Sequence, residues 1–211
     1  MNSLLKHDID DILNSYPGLV ISEQENDISL IGTLSFNASM EEIETIAANY
    51  DVIISIPSRY PDELPKVFPR GYKLDERFEH INPDDSFCLA VPFEERKLFD
   101  TNPTLLGFIN NLVVPFLYSY SYFLKNGEYP FGERAHGNSG VLDYYQELFG
   151  SNDVKQIILS LYKFSIDGYK AHEMCPCGSG KKVLRCHKQQ VKELLNNREL
   201  LRVELSRFIN G

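Results

Sequence analysis

Apolar positions open this chain with a helical period. Leu4, Leu5, Ile9, Ile12 and Leu13 share one face, and Tyr16-Pro17-Gly18 ends the run. Three stretches rich in β-branched and aromatic residues follow, Leu19–Ser22, Ile28–Phe36 and Tyr50–Ile56, separated by polar segments, and predict consecutive strands of an antiparallel meander. Glu41, Glu42 and Glu44 favour a helical turn over Met40–Ala47, between the second and third strands. Pro57, Pro61, Pro65, Pro69 and Gly71 then forbid regular structure from Ser58 to about Tyr72, and a long ordered loop of that kind points to function. Helical period resumes over Thr104–Lys125, bent at Pro115, and again over Val141–Phe149 and Val154–Phe164. A last apolar stripe, Val191, Leu194, Leu195, Leu201, Leu205, Phe208 and Ile209, needs a surface to bury it. The pattern as a whole predicts an α+β fold, a meander sheet packed with helices.

The 211 residues suffice for one full core with a small appendage. We divide them into a main domain (1–150), a helical connector (151–171) and a C-terminal segment (172–211). Thr101–Leu124 carries no charge, but Asn102, Asn110, Asn111, Ser119, Ser121, Pro103 and Pro115 argue for a buried helix and against a membrane span. Met1–Ser15 lacks the basic start, apolar centre and small-residue cleavage site of a secretory leader, so a cytoplasmic protein with reduced cysteines is expected. The net charge of −9 argues against nucleic-acid binding by the whole chain. Its distribution is uneven: His172–Gly211 holds eight Lys/Arg against four Glu, a local +4, and the remainder therefore carries −13. An acidic body and a basic tail imply separate partners.

The four cysteines divide three to one. Cys175, Cys177 and Cys186 stand with His187 in CPCGSGKKVLRCH, a set of four ligands suited to tetrahedral Zn²⁺. Gly178 and Gly180 let the loop fold back, and Lys181, Lys182 and Arg185 offset thiolate charge. Four protein ligands leave no open position, so the expected zinc is structural. The segment resembles the zinc-binding motif at the C-terminus of the preprotein translocase motor SecA, a module that recurs on unrelated bacterial proteins. That resemblance implies a bacterial chain and a docking tail. Without motor domains it does not imply a translocase.

Cys88 stands alone in HINPDDSFCLAVPF. A single cysteine is more often a small buried hydrophobe than a nucleophile, but His80 and Asn82 lie eight and six residues before it, where an NPDD turn can fold them back. An Asn amide can donate to a developing oxyanion, and Cys with Asn but no adjacent base suits acyl transfer from an activated thioester. His136, in the Gly-rich stretch NGEYPFGERAHGNSG, is a candidate base or shaper of the cysteine pocket, with a purely structural histidine as the other reading. Asp84 and Asp85 are read either as orienting an amine or as capping the turn, and Tyr118, Tyr120 and Tyr122 as core aromatics.

The order of short helix, three-strand meander, YPDELPKVF, HINPDDSFCL and the Pro-led helix of NPTLLGFINNL resembles the ubiquitin-conjugating enzymes over residues 1–150. Tyr60, Pro61, Pro65 and Val67 match that family's closing of the sheet. His80, Ile81 and Asn82 match its His-Pro-Asn tripeptide with the Pro replaced, and Cys88-Leu89 its active cysteine. By resemblance, Cys88 carries a donor protein's C-terminus as a thioester and Asn82 supports the oxyanion while a target lysine attacks. The chain departs from the family in a shorter His-to-Cys spacing, in the absence of the tryptophan that commonly follows the cysteine, and in a Gly-rich stretch where the family has an acidic loop. Such trimmed forms resemble bacterial ubiquitin-conjugating-like proteins of antiphage operons. The implied donor is a ubiquitin-like protein or the C-terminus of a cyclic-nucleotide-producing nucleotidyltransferase. No nucleotide-binding Gly loop is present, so activation falls to a separate enzyme or to none. A non-catalytic adaptor, gripping a partner with the same fold and tethered through its zinc tail, is the alternative.

Overall fold

The computed structural model describes residues 3–24, 27–40, 43–132, 135, 137–170 and 172–210. The first helix, α1 (Ser3–Ser15), buries Ile9 and Ile12 and hands over at Gly18 to strand β1 (Leu19–Gln24). Strands β2 (Asp27–Ala38), β3 (Ile46–Ile56) and β4 (Lys66–Pro69) complete a four-stranded antiparallel sheet in sequential order. Pairing runs Leu19↔Gly32 to Gln24↔Asp27, Ile28↔Ile56 to Ala38↔Ile46, and Val52↔Pro69 to Ser55↔Lys66. Alternation along the strands places Leu30, Leu34, Val52, Ile54, Ile56 and Val67 on one buried face.

Two glycines permit the tightest approach in this sheet. A Cβ on Gly32, whose φ is 142°, would lie 2.1 Å from the Gly18 carbonyl, and a Cβ on Gly18 would lie 2.4 Å from that of Thr33. The Thr33 amide donates to the Gly18 carbonyl here (3.0 Å), so backbone meets backbone where side chains have no room.

Three sequence expectations change. The helical turn over Met40–Ala47 is absent among the described residues. Only an Ile43 amide to Met40 carbonyl bond (2.8 Å) survives of it, and Ile46 and Ala47 belong to β3. Residues 41 and 42 lie outside the described set. Within the Pro-rich loop a short strand does form: β4 fits between Pro65 and Pro69 because an edge strand tolerates proline at its ends. The helix expected over Thr104–Lys125 is a composite of α3 (Leu105–Phe108), a π-helical turn (Ile109–Val113) and α4 (Val114–Asn126). Pro115 explains the wide turn, since it offers no amide to the carbonyl four residues before it and its ring crowds that carbonyl. Thr104 caps the N-terminus by accepting from the Gly107 amide (2.9 Å), and Gly127 ends the run in the left-handed region, φ 75°. One further helix, α2 (Pro92–Asp100), was not expected.

Contacts divide the chain into two compact units, one of residues 1–90 and 94–133, the other of 91–93 and 134–211. The first joins the sheet to α1, α3 and α4 through Phe78, Phe87, Phe99, Phe108, Leu112, Phe116 and Leu117. Buried Asp8 ties it together, accepting from the Tyr60 hydroxyl (2.9 Å) and the Leu105 amide (3.2 Å). The second contains α5 (Gly137–Phe149), α6 (Val154–Asp167), a 3₁₀ turn (Val183–Arg185), α7 (Lys188–Asn196) and α8 (Arg198–Asn210). Its core runs from Phe93 through Tyr145, Phe149, Ile157 and Leu161 to Val191, Leu201 and Leu205. α5 falls in this unit, although the sequence-based division at residue 150 assigns it to the main domain, because Val141, Tyr145 and Phe149 bury with α6 and α8.

No helix among the described residues is long and apolar enough to cross a membrane. The uncharged stretch is instead the buried spine of the first unit, with Leu105, Phe108, Ile109, Val113 and Leu117 at or below 1% exposure.

Candidate functional sites: a clamped cysteine and a metal centre

The segment before Cys88 folds back as the NPDD sequence predicts. The Asn82 amide donates to the Ser86 carbonyl (2.8 Å) and the Asp85 amide to the Asn82 carbonyl (2.9 Å), with Asp85 in the left-handed region at φ 64°. Asp84 accepts from the Ser86 amide (3.2 Å) and hydroxyl (2.6 Å) and from Lys66 on β4 (2.6 Å). These bonds, Lys66 first, hold its carboxyl down at about 2. Asp84 therefore fixes the turn to the sheet edge. The Phe87 amide donates to the Val67 carbonyl on the same edge (2.7 Å), and the Cys88 amide to the His80 carbonyl (3.0 Å). Cys88 thus emerges half-buried from a backbone clamped on both sides.

Asn82 and His80 have definite places. Both hydrogens of the Asn82 side-chain amide are spent inside the turn, on Ser86 Oγ and the Phe87 carbonyl (3.0 Å each). The His80 ring packs on Phe78 and Tyr129, centroids 5.0 and 5.3 Å away, while its carbonyl receives Cys88. His136 lies outside the described residues. Tyr118 donates to the Glu44 carbonyl (2.6 Å) and Tyr120 accepts from the Asp75 amide (3.0 Å), both as buried core aromatics.

One group near Cys88 was missed. Burial pushes the Cys88 thiol up, and the charge of Glu95, on the first turn of α2, pushes it further. Glu95 itself is half-buried, and desolvation raises its carboxyl to about 7. The positive end of a helix favours an ionised Glu in its first turn by about 0.3–1 kcal/mol, too little to offset a displacement of that size. Its carboxylate has no hydrogen bond or ion pair among the described residues. Its neighbour Arg96 is engaged by Asp100 (2.8 Å) and the Pro61 carbonyl (2.6 Å). Sequence offers only a weak signal for Glu95, an acidic residue seven positions after the cysteine.

The second site is assembled within the C-terminal unit. Glycines 178 and 180, with φ 72° and 71°, reverse the chain, and a short antiparallel ladder closes it. The Cys175 amide donates to the Lys181 carbonyl and the Val183 amide to the Glu173 carbonyl, 2.8 Å each. Gln156 on α6 donates to the Cys175 carbonyl (3.4 Å), and the Phe149 ring meets the His187 ring edge-on at 5.4 Å. Donor atoms of Cys175, Cys177, Cys186 and His187 all lie within 4.8 Å of one another. Cys175 Sγ is 3.2 Å and Cys186 Sγ 3.4 Å from His187 Nδ1, and Cys177 Sγ is 3.5 Å from Cys186 Sγ.

A tetrahedral zinc has edges of about 3.8 Å between sulfurs and about 3.6 Å between sulfur and nitrogen. The Cys175–His187, Cys186–His187 and Cys177–Cys186 spacings fall short of these edges by only a few tenths of an ångström. None of the four cysteines forms a disulfide. The cluster fits a metal ion, with all four positions supplied by protein.

No protein-family model, curated protein or solved structure gives a significant match to this chain.

Proposed function

We propose that the protein is a ubiquitin-conjugating-like acyl transferase, with Cys88 carrying a partner protein's C-terminal residue as a thioester and passing it to a lysine amine. The observation that carries this reading is the clamped backbone at Cys88: the Phe87 and Cys88 amides are fixed to the carbonyls of Val67 and His80, which holds a half-buried thiol beside the Asn82 turn. A nucleophile held on rigid backbone reaches its acyl partner without loss of orientation. Because burial keeps the thiol largely protonated at neutral pH, the donor arrives activated or is loaded by another enzyme. The bacterial antiphage setting, with a nucleotidyltransferase tail as donor, follows from the resemblance. A structural Zn²⁺ on Cys175, Cys177, Cys186 and His187 would close the tail, with no role in the chemistry.

A non-catalytic adaptor is the second reading, and the commitment of both Asn82 amide hydrogens to the turn favours it. Coexpression with genomic neighbours, read by intact mass, separates the two. A reductant-labile protein adduct on wild type, converted to a stable ester in Cys88→Ser and lost in Cys88→Ala, is the expected result. A partner retained without covalent adduct by all three proteins would decide for the adaptor.

A further inference from the structure

We infer that the free half of β2 is a docking site for an extended peptide of a partner protein, neutral at its centre and basic at its flanks, which adds a strand to the sheet. Three observations support it. The first is an interrupted ladder. β1 pairs with β2 only as far as Leu19↔Gly32, and the Thr33 amide makes the last bond on that side, to the Gly18 carbonyl (3.0 Å). Before Gly18 the chain belongs to α1, with the Tyr16 amide spent on the Ile12 carbonyl (2.7 Å) and the Tyr16 carbonyl on the Leu19 amide (3.0 Å). β2 nevertheless runs on to Ala38 in unbroken register with β3. Backbone groups point to alternate sides along a strand, so those of Ser35 and Asn37 face the way the Thr33 amide does. Asp51, opposite Thr33, confirms the alternation by turning its carbonyl away from β2 to the Arg70 amide (2.9 Å). On the side that β1 has left, Ser35 and Asn37 have no backbone partner among the described residues.

The second observation is an open recess of about 360 Å³ along this stretch, within the usual size of ligand sites. Phe36, Ala38, Leu106 and Val114 form its apolar side. Tyr16 and Asn110 form a polar one, joined by a bond from the Tyr16 hydroxyl to Asn110 Oδ1 (2.6 Å). The third is charge. Edge strands are ordinarily guarded by proline and lysine, as β4 is by Pro65, Lys66 and Pro69, but Ser35–Ala38 carries neither, and every residue lining the recess is uncharged. Around that neutral lining, the unit of residues 1–90 and 94–133 holds 22 Asp/Glu against nine Lys/Arg, a net −13. A peptide with a neutral centre and Lys/Arg flanks is steered to such a unit and buries no charge in the recess. Laid along β2 in the line of β1, it exchanges amide and carbonyl bonds with Ser35 and Asn37. Its residue opposite Phe36 shares that side chain's face and enters the apolar side of the recess, while its neighbours point to solvent. Recognition by backbone pairing with an apolar anchor is the pattern of strand addition. The site lies at the opposite edge of the sheet from β4, to which the Cys88 turn is fixed, and is independent of the transferase reading.

The test uses an array of fluorescein-labelled nonapeptides, each with two Lys/Arg at either end and five central residues varied among Thr, Val, Ile, Leu, Ala and Ser. Fluorescence anisotropy ranks their binding to the full chain, and the tightest is remade with an N-methyl group at each central position in turn. Binding is expected to fall by about 10-fold at alternate positions and little at those between, the period of a strand. Ser35→Pro deletes an outward amide at a position where an edge accepts proline, and is expected to weaken binding by about 10-fold with an unchanged thermal melt. Should that variant unfold, the methylation series decides alone. Uniform tolerance of N-methylation would overturn the inference, as would an array in which no member binds better than the same peptides with Asp at the five central positions. A dimer in sedimentation that Ser35→Pro converts to monomer would assign the edge to a second copy of the chain and overturn it equally.

Discussion

At the scale of single residues, the fold places a carboxyl where it is costly to ionise. Glu95 has an ordinary value of 4.5 and sits at about 7 in the folded chain. Between those two values the native protein holds a proton that the unfolded chain has released. Stability therefore falls as pH rises through that window and levels off above it. Glu95→Gln, which removes the ionisable group and keeps the shape, is expected to stabilise the protein at pH 8 by up to about 3 kcal/mol and to make little difference at pH 4. Thermal melts of both proteins at the two pH values check this. An ordinary structural glutamate would give the opposite sign at pH 8. The Cys175, Cys177, Cys186 and His187 cluster that could hold a metal was legible from sequence, because its four positions lie within thirteen residues and their chemistry is carried by residue type alone. Glu95 was not, because its property comes from burial, and an acidic residue in the first turn of a helix otherwise reads as routine.

At the scale of elements, patterning succeeded where one face is wet and failed where context decides. Strands β1 to β3 alternate, and their positions were readable. β4 was hidden by prolines that become acceptable only at a sheet edge, and α2 by its short length of nine residues. The expected bend at Pro115 took the form of a π turn, since widening the turn lets the neighbouring carbonyls find other amides. The last stripe reads as continuous, yet Asn197 interrupts it between α7 and α8, with its amide on the Leu194 carbonyl (3.2 Å). Gly32 is where the first hairpin is most exposed to mutation. Gly32→Ala puts a Cβ into the Gly18 carbonyl at a φ that L-residues avoid, so a loss of about 2 kcal/mol or more is expected in denaturant unfolding, without change in metal content. A neutral result would mean that β1 separates from β2 more cheaply than the register implies.

At the scale of the whole molecule, the Cys175/Cys177/Cys186/His187 cluster belongs to the unit that also contains Val91–Phe93. We expect about one zinc per chain by elemental analysis. Chelation or Cys175→Ser should raise amide exchange across 172–196 while β1 to β4 stay protected. Protein that is metal-free yet equally protected in that segment would show that the hydrogen-bonded ladder suffices without an ion. In the same unit, Glu204 of α8 is fully buried, accepting from the Tyr145 hydroxyl (2.5 Å) and the Phe93 amide (3.3 Å), a contact that spans 111 residues. During synthesis, therefore, the residues just after Cys88 emerge long before the group that receives them. At about 5–20 residues per second, Phe93 waits roughly 5–20 s for Glu204 to leave the ribosome. The Phe93 amide reaches its acceptor only once α8 has been made, so a chain interrupted anywhere between the two leaves that amide without Glu204.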